Sequence, residues 1–398
     1  MTGSVTSSYT YSQEPFSTFQ HKVHDLCIAI GLGTPLAITR VKGGGYNRVI
    51  GLTLPNLPPA IIRIPRSAGY VLRGIHDQHA IASFLRKKTA MPAPETIAYD
   101  ATIGNQIESE YIIQRRIPGV PLEDIYNGLE MDEKEHVMDQ VIDLLVEMEN
   151  IQFPATGQLA AAGCLPDASI VDGNDASRNA AGVATAPFLR AICEPPRPSP
   201  TPTTLEETFA DRLRVLDEEE RETPSGIVML PMFARLSEII AEMRSLGFFE
   251  ECSVAPNVLH HWDFEPRNIM VERGTDGRYK VTGLLDWDGV LSVPLVLARK
   301  PPAWLWLPEE KKATSSLDWG WDVDELDLGP VELRAPFERK MEKRVGSKYA
   351  EDAFGKGRWI RRVWRFLLDG FVGSGDFRRY DKFIEEWNCY RESSKSAA

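Results

Sequence analysis

The sequence lacks three features that would each have indicated a particular class of protein. Its five cysteines include no CxxC pair, so neither a zinc site nor a disulfide framework is predicted. Its longest apolar run, residues 290–298, is interrupted by a serine and a proline and is far shorter than the roughly 20 residues of a membrane-spanning helix. Residues 1–14 lack the basic and apolar regions of a secretory signal. We therefore expect a soluble cytoplasmic protein with reduced, mostly buried cysteines and no membrane partner.

Positive charge is also scarce, since 45 Lys and Arg residues face 57 Asp and Glu residues and leave a formal net charge of -12. Binding to nucleic acid rests largely on Lys and Arg, so this balance argues against a nucleic-acid partner. An apolar content of 43% over 398 residues is ordinary for a globular protein. The length allows two domains, or one catalytic unit of two lobes.

The first 118 residues have the pattern of a helix followed by an antiparallel sheet, and we place the boundary between two lobes near Pro118. Apolar spacing predicts helices over residues 17–30 and 75–85. Strands are predicted over residues 37–41, 46–54, 60–64 and 110–115. The glycines Gly43, Gly44 and Gly45 form the first turn, which is either a plain hairpin turn or a cover whose backbone N–H groups approach a phosphate.

Arg63 is a lone cation inside the apolar third strand. An unpaired charge there would be costly. Its side chain therefore either extends to the rim of the sheet or faces an anion in a cleft.

Residues 119–398 are predicted to form a mainly helical second lobe. Helical spacing marks residues 133–151 and 231–246, and two aromatic-rich helices follow near residues 359–367 and 383–387. Residues 206–222 are charge-rich and read as a helix with a solvated face. Residues 155–204, rich in Ala, Gly, Pro and Ser, are predicted to be a long loop. The last eight residues are predicted to be a disordered tail.

Polar side chains gather at both ends of one predicted hairpin, in the stretch from His260 to Asp288. Asn268 opens the first strand, the sequence GTDG turns the chain, and Asp286 follows the second strand. Carboxylate and amide oxygens brought together in this way suit Mg²⁺, which completes its coordination with phosphate oxygens and water. Asp263 precedes the hairpin and is a candidate base or orienter for a hydroxyl.

These residues carry a family resemblance. HWDFEPRN, residues 261–268, resembles the HxDxxxxN catalytic loop of the aminoglycoside phosphotransferase and choline kinase-like family. LLDWD, residues 284–288, resembles the metal-binding segment of that family. The resemblance covers roughly residues 38–297 and is closest in style to fungal members of unknown substrate. It implies a two-lobed α+β protein-kinase-like fold, with a small antiparallel-sheet N-terminal lobe and a larger, mainly helical C-terminal lobe.

The resemblance also implies roles for individual residues. Asp263 matches the catalytic base, His261 the residue that braces the loop, and Asn268 and Asp286 the metal ligands. The nucleotide-binding residues implied are Gly43, Gly44, Gly45, Arg63 and, for the adenine, the backbone of Gln114, Arg115 and Arg116. Two positions depart from the family, since Arg63 stands in place of the usual lysine and Gln78 in place of its glutamate partner. An Arg keeps the charge of a Lys but not its geometry.

Two functions of different classes follow. The first is a small-molecule kinase that uses ATP and Mg²⁺ to phosphorylate an alcohol group. The acidic residues of one later segment could favour a cationic acceptor, or could form a solvated loop: Asp318, Asp322, Asp324, Glu325 and Asp327. The second is a non-catalytic nucleotide-binding or scaffold protein, which the changes at Arg63 and Gln78 would suit. Protein kinase activity is disfavoured because no APE-like segment follows LLDWD. The acceptor and the oligomeric state stay open.

Overall fold

The computed structural model of the chain describes residues 13–41, 45–66, 74–161, 183–186, 202–307, 332–371 and 373–396. Its N-terminal part is a five-stranded antiparallel sheet of β1 (Ala37–Arg40), β2 (Asn47–Thr53), β3 (Ala60–Pro65), β4 (Thr96–Asp100) and β5 (Tyr111–Arg115). The strand order is β1-β2-β3-β5-β4. Helix α1 (Phe16–Ala29) buries its apolar stripe against this sheet, which gives the lobe its own core. The predicted α+β fold is confirmed here.

Strand β4 was not predicted, because Pro92 and Pro94 made the segment after the second helix look like a connection. Its residues alternate only weakly, and none of them is fully buried. Pairing with β5 at the edge of the sheet defines the strand. Helix α2 (Ile75–Lys88) is about one turn longer than predicted, and its C-terminal basic residues suit the negative end of the helix dipole.

The C-terminal lobe is built on helices that bury two apolar cores. The helices are α3 (Met131–Asn150), α4 (Leu205–Glu220), α5 (Gly226–Ser245), α6 (Phe248–Glu251), α7 (Leu295–Ala298), α8 (Arg334–Val345), α9 (Lys348–Ala353), α10 (Lys356–Asp369) and α11 (Ser374–Ser396). No helix in these described ranges is both long and apolar enough to cross a bilayer.

Two small sheets support the chain around the predicted hairpin. One contains β7 (Gln152–Phe153), β8 (Gly157–Ala161), β9 (Val183–Ala186), β10 (Asn257–His260) and β13 (Leu291–Pro294), in the order β7-β10-β13-β8-β9. The other contains β6 (Val120–Pro121), β11 (Ile269–Arg273) and β12 (Tyr279–Leu284), in the order β12-β11-β6. Strands β10 and β11 therefore hold the two sides of the chain segment that carries Asp263.

Three predictions about this lobe need correction. Residues 155–204 are not simply a loop, because β8 and β9 pair antiparallel within them. All five residues of β8 are buried, but three of them are Gly or Ala and the strand does not alternate between apolar and polar residues, so composition suggested a loop. Helix α4 is more than a solvated face, since Phe209, Arg212 and Leu216 are buried. The predicted C-terminal tail is helical as far as Ser396.

A buried ion-pair group ties α3, α9 and the end of α7 together. The Arg299 guanidinium donates to Glu149 at 3.0 and 2.8 Å and to Asp352 at 2.8 Å. The Asp352 side chain is fully buried and also accepts from the Ser253 amide at 2.8 Å. Because three elements meet at these charges, the group fixes the chain that follows α7.

Replacing Asp352 by Ala is expected to destabilise the fold by about 3–5 kcal/mol, because it leaves the Arg299 charge partly unpaired in the core. Urea unfolding would measure this loss. The control is Asp143→Ala, which removes the surface pair with Arg344 and should cost about 1 kcal/mol or less. Equal losses for the two variants would contradict a stabilising role of the buried group.

Candidate functional site

The predicted hairpin exists and brings its two polar ends together. Strands β11 and β12 pair antiparallel, with Ile269 opposite Leu284. One step beyond this pair, the Leu285 N–H donates to the Asn268 carbonyl at 2.8 Å. This local register places Asp286, the next residue, beside Asn268, as the sequence spacing predicted.

His261 fastens the preceding turn, residues 261–268, to the same strand end. Its Nε2 lies 2.8 Å from the Leu285 carbonyl oxygen, and a carbonyl only accepts, so Nε2 carries the proton. Burial lowers the pKa of the His261 ring, which keeps the ring neutral at neutral pH. The ring also packs edge-on against Trp287, with centroids 4.8 Å apart. This contact agrees with the predicted bracing of the loop.

Asp263 is held by two neighbours within this turn. Its Oδ2 accepts from Asn268 Nδ2 at 2.8 Å, and its backbone carbonyl accepts from the same amide group at 2.9 Å. Its Oδ1 forms an ion pair with Arg267. Burial alone would lower the pKa of the Arg267 guanidinium, but the bond to Asp263 outweighs it and raises that pKa. The Asp263 carboxylate is therefore fixed in direction while a third of it stays exposed.

Arg267 was missed by the sequence analysis. Its spacing of four residues from Asp263 is a common spacing for an ion pair. The family motif leaves this position unspecified, so the motif gave no reason to single out Arg267.

Asp286 has a left-handed backbone, with φ 62° and ψ 52°, a conformation that Asp tolerates better than most residues. Burial of the carboxyl raises its pKa to about 6, and the charges of Asp288 and Asp263 act in the same direction. Arg63 and Arg267 act against this rise. The carboxylates of Asp286, Asp288 and Asp263 thus lie close enough to influence one another, and Arg63 and Arg267 balance part of their charge.

Arg63 reaches across the cleft to this group. Its guanidinium donates to Asp288 at 3.1 and 2.5 Å and to Asp286 at 3.4 Å. Burial would lower the pKa of Arg63, but the charges of Asp288 and Asp286 outweigh it and raise that pKa. The sequence left two positions open for the Arg63 side chain, the rim of the sheet or a cleft that contains an anion. The structure shows the second, with the carboxylates of Asp288 and Asp286 as the anions.

The residues of α2 do not supply the partner of Arg63. Gln78 is buried, and its Oε1 accepts no hydrogen bond from any described residue. The neighbouring Asp77 carboxylate accepts from the Ala161 amide at 2.7 Å. Asp288, which the sequence analysis left without a role, takes the place of a helix carboxylate in pairing with this strand cation.

The predicted adenine-binding segment is only partly compatible with that use. The amides of Arg115 and Arg116 donate to the carbonyls of Glu95 and Pro59, each at 2.8 Å, so these two N–H groups are not available to a base. Gln114 is buried within the sheet. Gly45 lies in an exposed bend before β2, whereas Gly43 and Gly44 and the acidic residues between 318 and 327 lie outside the described residues.

The geometry agrees with the comparisons with known proteins. Residues 37–295 match the phosphotransferase enzyme family, APH. A thermostable mutant of aminoglycoside phosphotransferase APH(4)-Ia, in ternary complex with AMP-PNP and hygromycin B, superposes with a TM-score of 0.50 at 14% identity, covering 95% of this chain and all of that one. The GDP complex of a mutant aminoglycoside 2'-phosphotransferase-IIIa gives 0.50 at 12% identity, covering 95% and 97% of the two chains. At these identities the structural likeness shows the fold alone.

Curated relatives match over a shorter stretch. A subtelomeric hrmA-associated cluster protein of Aspergillus fumigatus is 32% identical over 123 residues, which are 31% of this chain and 24% of that protein. Altered inheritance of mitochondria protein 9 of Candida tropicalis is 27% identical over 119 residues, which are 29% of this chain and 19% of that protein. The matched stretch thus spans about a quarter or less of these relatives. From the family match over most of its length, we conclude that this chain belongs to the phosphotransferase enzyme family.

Proposed function

We propose that this chain is an ATP- and Mg²⁺-dependent phosphotransferase that moves the γ-phosphoryl group to a hydroxyl of a small molecule. The observation that carries the proposal is the meeting of Asp263, Asn268 and Asp286 around one hairpin, joined by the Asn268–Asp263 and Leu285–Asn268 hydrogen bonds. Phosphoryl transfer needs mainly positioning and charge stabilisation from the protein. These three side chains have the chemistry and the placement for both.

Asp263 would orient the acceptor hydroxyl and accept its proton as the oxygen attacks the γ-phosphorus. The Arg267 ion pair and the Asn268 amide hold the carboxylate in one orientation. His261 would act on this step indirectly, because it fixes the turn that carries Asp263 rather than facing a substrate.

The donor set around Asp286 fits magnesium. The Asn268 amide nitrogen is used by Asp263, which leaves its Oδ1 as an oxygen donor, and the strand register brings Asp286 to the same end of the hairpin. Within the described ranges, no group of three or more His, Cys, Asp or Glu side chains could hold a metal ion. Magnesium suits such a sparse site, because it takes one or two protein oxygens and completes its shell with phosphate and water. When bound, the ion would neutralise charge on the transferred phosphate.

Arg63 would face the nucleotide phosphates from the opposite lobe. Its guanidinium is held by Asp288 beside the proposed metal site. Two proteins of similar fold were solved with AMP-PNP and with GDP, which supports nucleotide use here. Of the adenine and guanine nucleotides, we propose ATP as the phosphate donor. Gly43, Gly44 and Gly45 stay predicted as the phosphate cover.

Transfer can be tested directly on the purified protein. ATP and Mg²⁺ are incubated with a panel of alcohols and amino sugars, ADP release is followed, and each acceptor is examined by mass spectrometry for one added phosphoryl group. We expect ADP release that depends on one class of acceptor. Magnesium-dependent nucleotide binding without transfer to any acceptor would contradict the proposal and favour the non-catalytic nucleotide-binding alternative.

Asp288→Asn is expected to weaken nucleotide binding about tenfold, because Arg63 loses the charge that directs it at the phosphates and the loss of one such contact is worth about 1.4 kcal/mol. We expect the KM for ATP to rise more than kcat falls, and Asp288→Glu to restore part of the loss. The matched control is Asp276→Asn, in the exposed turn between β11 and β12. An unchanged KM for ATP in Asp288→Asn would contradict this use of Asp288.

A further inference from the structure

A cleft with a cavity volume of about 50 Å³, partly open to solvent, lies beside the turn that carries Asp263. Residues on both sides of Asp263 line it, among them Trp262, Phe264 and Glu265. Its opposite wall is the chain that follows α7, from Arg299 to Trp304. The two walls are tied together, since Trp304 Nε1 donates to the Phe264 carbonyl at 3.1 Å. Asp263 itself does not line the cleft, but it lies between two lining residues in the chain, so an acceptor hydroxyl on the Trp262–Phe264 side of the cleft would lie near it.

The walls of the cleft are mostly apolar and aromatic. Trp262 stands at the mouth with 44% of its surface exposed, and its ring meets His260 edge-on at 6.2 Å. Pro301, Pro302 and Trp304 continue the apolar surface inward. A single exposed Trp is common on protein surfaces, but here it borders the cleft and offers its face for stacking with a ring.

The charges on the described lining nearly cancel. Glu149 and Arg299 both line the cleft, but they pair with each other. Glu265 and Lys300 are the remaining charged lining residues. The charge of Lys300 acts to lower the pKa of Glu265, against the larger effect of burial, which raises it. His260 and His261 add no charge at neutral pH, since burial lowers the pKa of both rings, that of His260 to about 3.

A polycationic amino sugar would meet little net negative charge here, whereas a ring with few charges would bury apolar surface against Trp262. A binding site often rejects a competing ligand because the charges of that ligand would be left unpaired in the site. For a polycation in this cleft, most of its ammonium groups would have no carboxylate partner among the described lining residues.

We propose that the acceptor is an alcohol carried on an apolar or aromatic ring of low net charge, seated in this cleft against Trp262. This rests on the proposed phosphotransferase function and specifies its substrate class. The hydroxyl of the acceptor lies toward Asp263, and the ring lies between Trp262 and the proline-rich wall. During transfer, the acceptor oxygen forms the new bond to phosphorus, its proton goes to Asp263, and ADP leaves.

The proposal is tested by binding, without nucleotide, so that its result is independent of turnover. Saturation-transfer NMR compares 2-phenylethanol, a neutral ring alcohol, with kanamycin, a polycationic amino sugar. We expect 2-phenylethanol to bind more tightly to the wild-type chain. Trp262→Ala should weaken this binding about threefold to tenfold, as the loss of a stacked aromatic contact does, and Trp262→Phe should retain most of it.

The matched control is Ile227→Ala, which removes another exposed apolar side chain, on α5 and outside the cleft lining. It should leave binding of 2-phenylethanol unchanged. Kanamycin binding as tightly as 2-phenylethanol would overturn the proposal, and so would equal binding of 2-phenylethanol to the wild type and to Trp262→Ala.

The two proposals fail in different ways. Transfer from ATP to amino sugars alone would keep the phosphotransferase function and overturn the ring-alcohol acceptor. Binding of 2-phenylethanol that depends on Trp262, with no transfer to any ring alcohol or amino sugar, would support the cleft as a ring-binding site and overturn the phosphotransferase function.

Discussion

Asp263→Asn is expected to lower kcat for acceptor phosphorylation by about 10²- to 10⁴-fold, the usual contribution of a general base. Asn has almost the same shape as Asp, so the turn should keep its fold. It cannot take the hydroxyl proton, and it removes the charge that pairs with Arg267. The KM for ATP should change little, since Asp263 faces the acceptor in the proposed mechanism.

Steady-state kinetics with ATP and a responsive acceptor would measure the effect, with a Mg²⁺-nucleotide thermal shift to check that binding survives. Glu272→Gln is a suitable control, because Glu272 is an exposed carboxylate on the neighbouring strand β11. A variant at Asp263 with wild-type kcat would remove Asp263 from the chemistry. An effect confined to a higher KM for ATP would assign it to nucleotide binding instead.

The second large effect is expected for Asp286→Asn, which should reduce Mg²⁺-dependent turnover by more than the about 10- to 100-fold typical of residues that only support a metal ligand. Asp286 is the carboxylate of the proposed metal site, and burial raises its pKa to about 6. An amide in its place binds a hard cation less strongly.

This prediction has a readout besides activity. In the wild type, Mg²⁺ should increase the thermal shift produced by ATP, and in Asp286→Asn this magnesium-dependent part should disappear. Asp276→Asn serves as the control, since its carboxylate lies in the hairpin turn, at the opposite end from Asp286. An undiminished magnesium response in Asp286→Asn would contradict the assignment of Asp286 as a metal ligand.

Local sequence could predict most of the secondary structure and the centre of the site. Helix α1 and strand β3 follow apolar periodicity, and their burial agrees with it. Strand β8 escaped prediction because its residues are all buried and do not alternate. Strand β4 escaped because pairing with β5, rather than its own pattern, makes it a strand.

The sequence by itself determined how Asp263, Asn268 and Asp286 come together. Residues 261–288 form one turn and one hairpin, whose register is set by near neighbours, so spacing in the chain translates directly into spacing in the fold. For the same reason the family resemblance could be recognised from these residues alone.

Only the tertiary structure decided what Arg63 and Trp262 face. Arg63 and Asp288 are 225 residues apart, and their pairing depends on how the two lobes close on each other, which no local pattern records. Trp262 borders a cleft only because the chain after α7 lies opposite it, held there by the buried Arg299 charges. The arrangement of Asp263, Asn268 and Asp286 is thus a local property of the sequence. The Arg63–Asp288 pair and the walls of the proposed acceptor cleft are made by packing between distant segments.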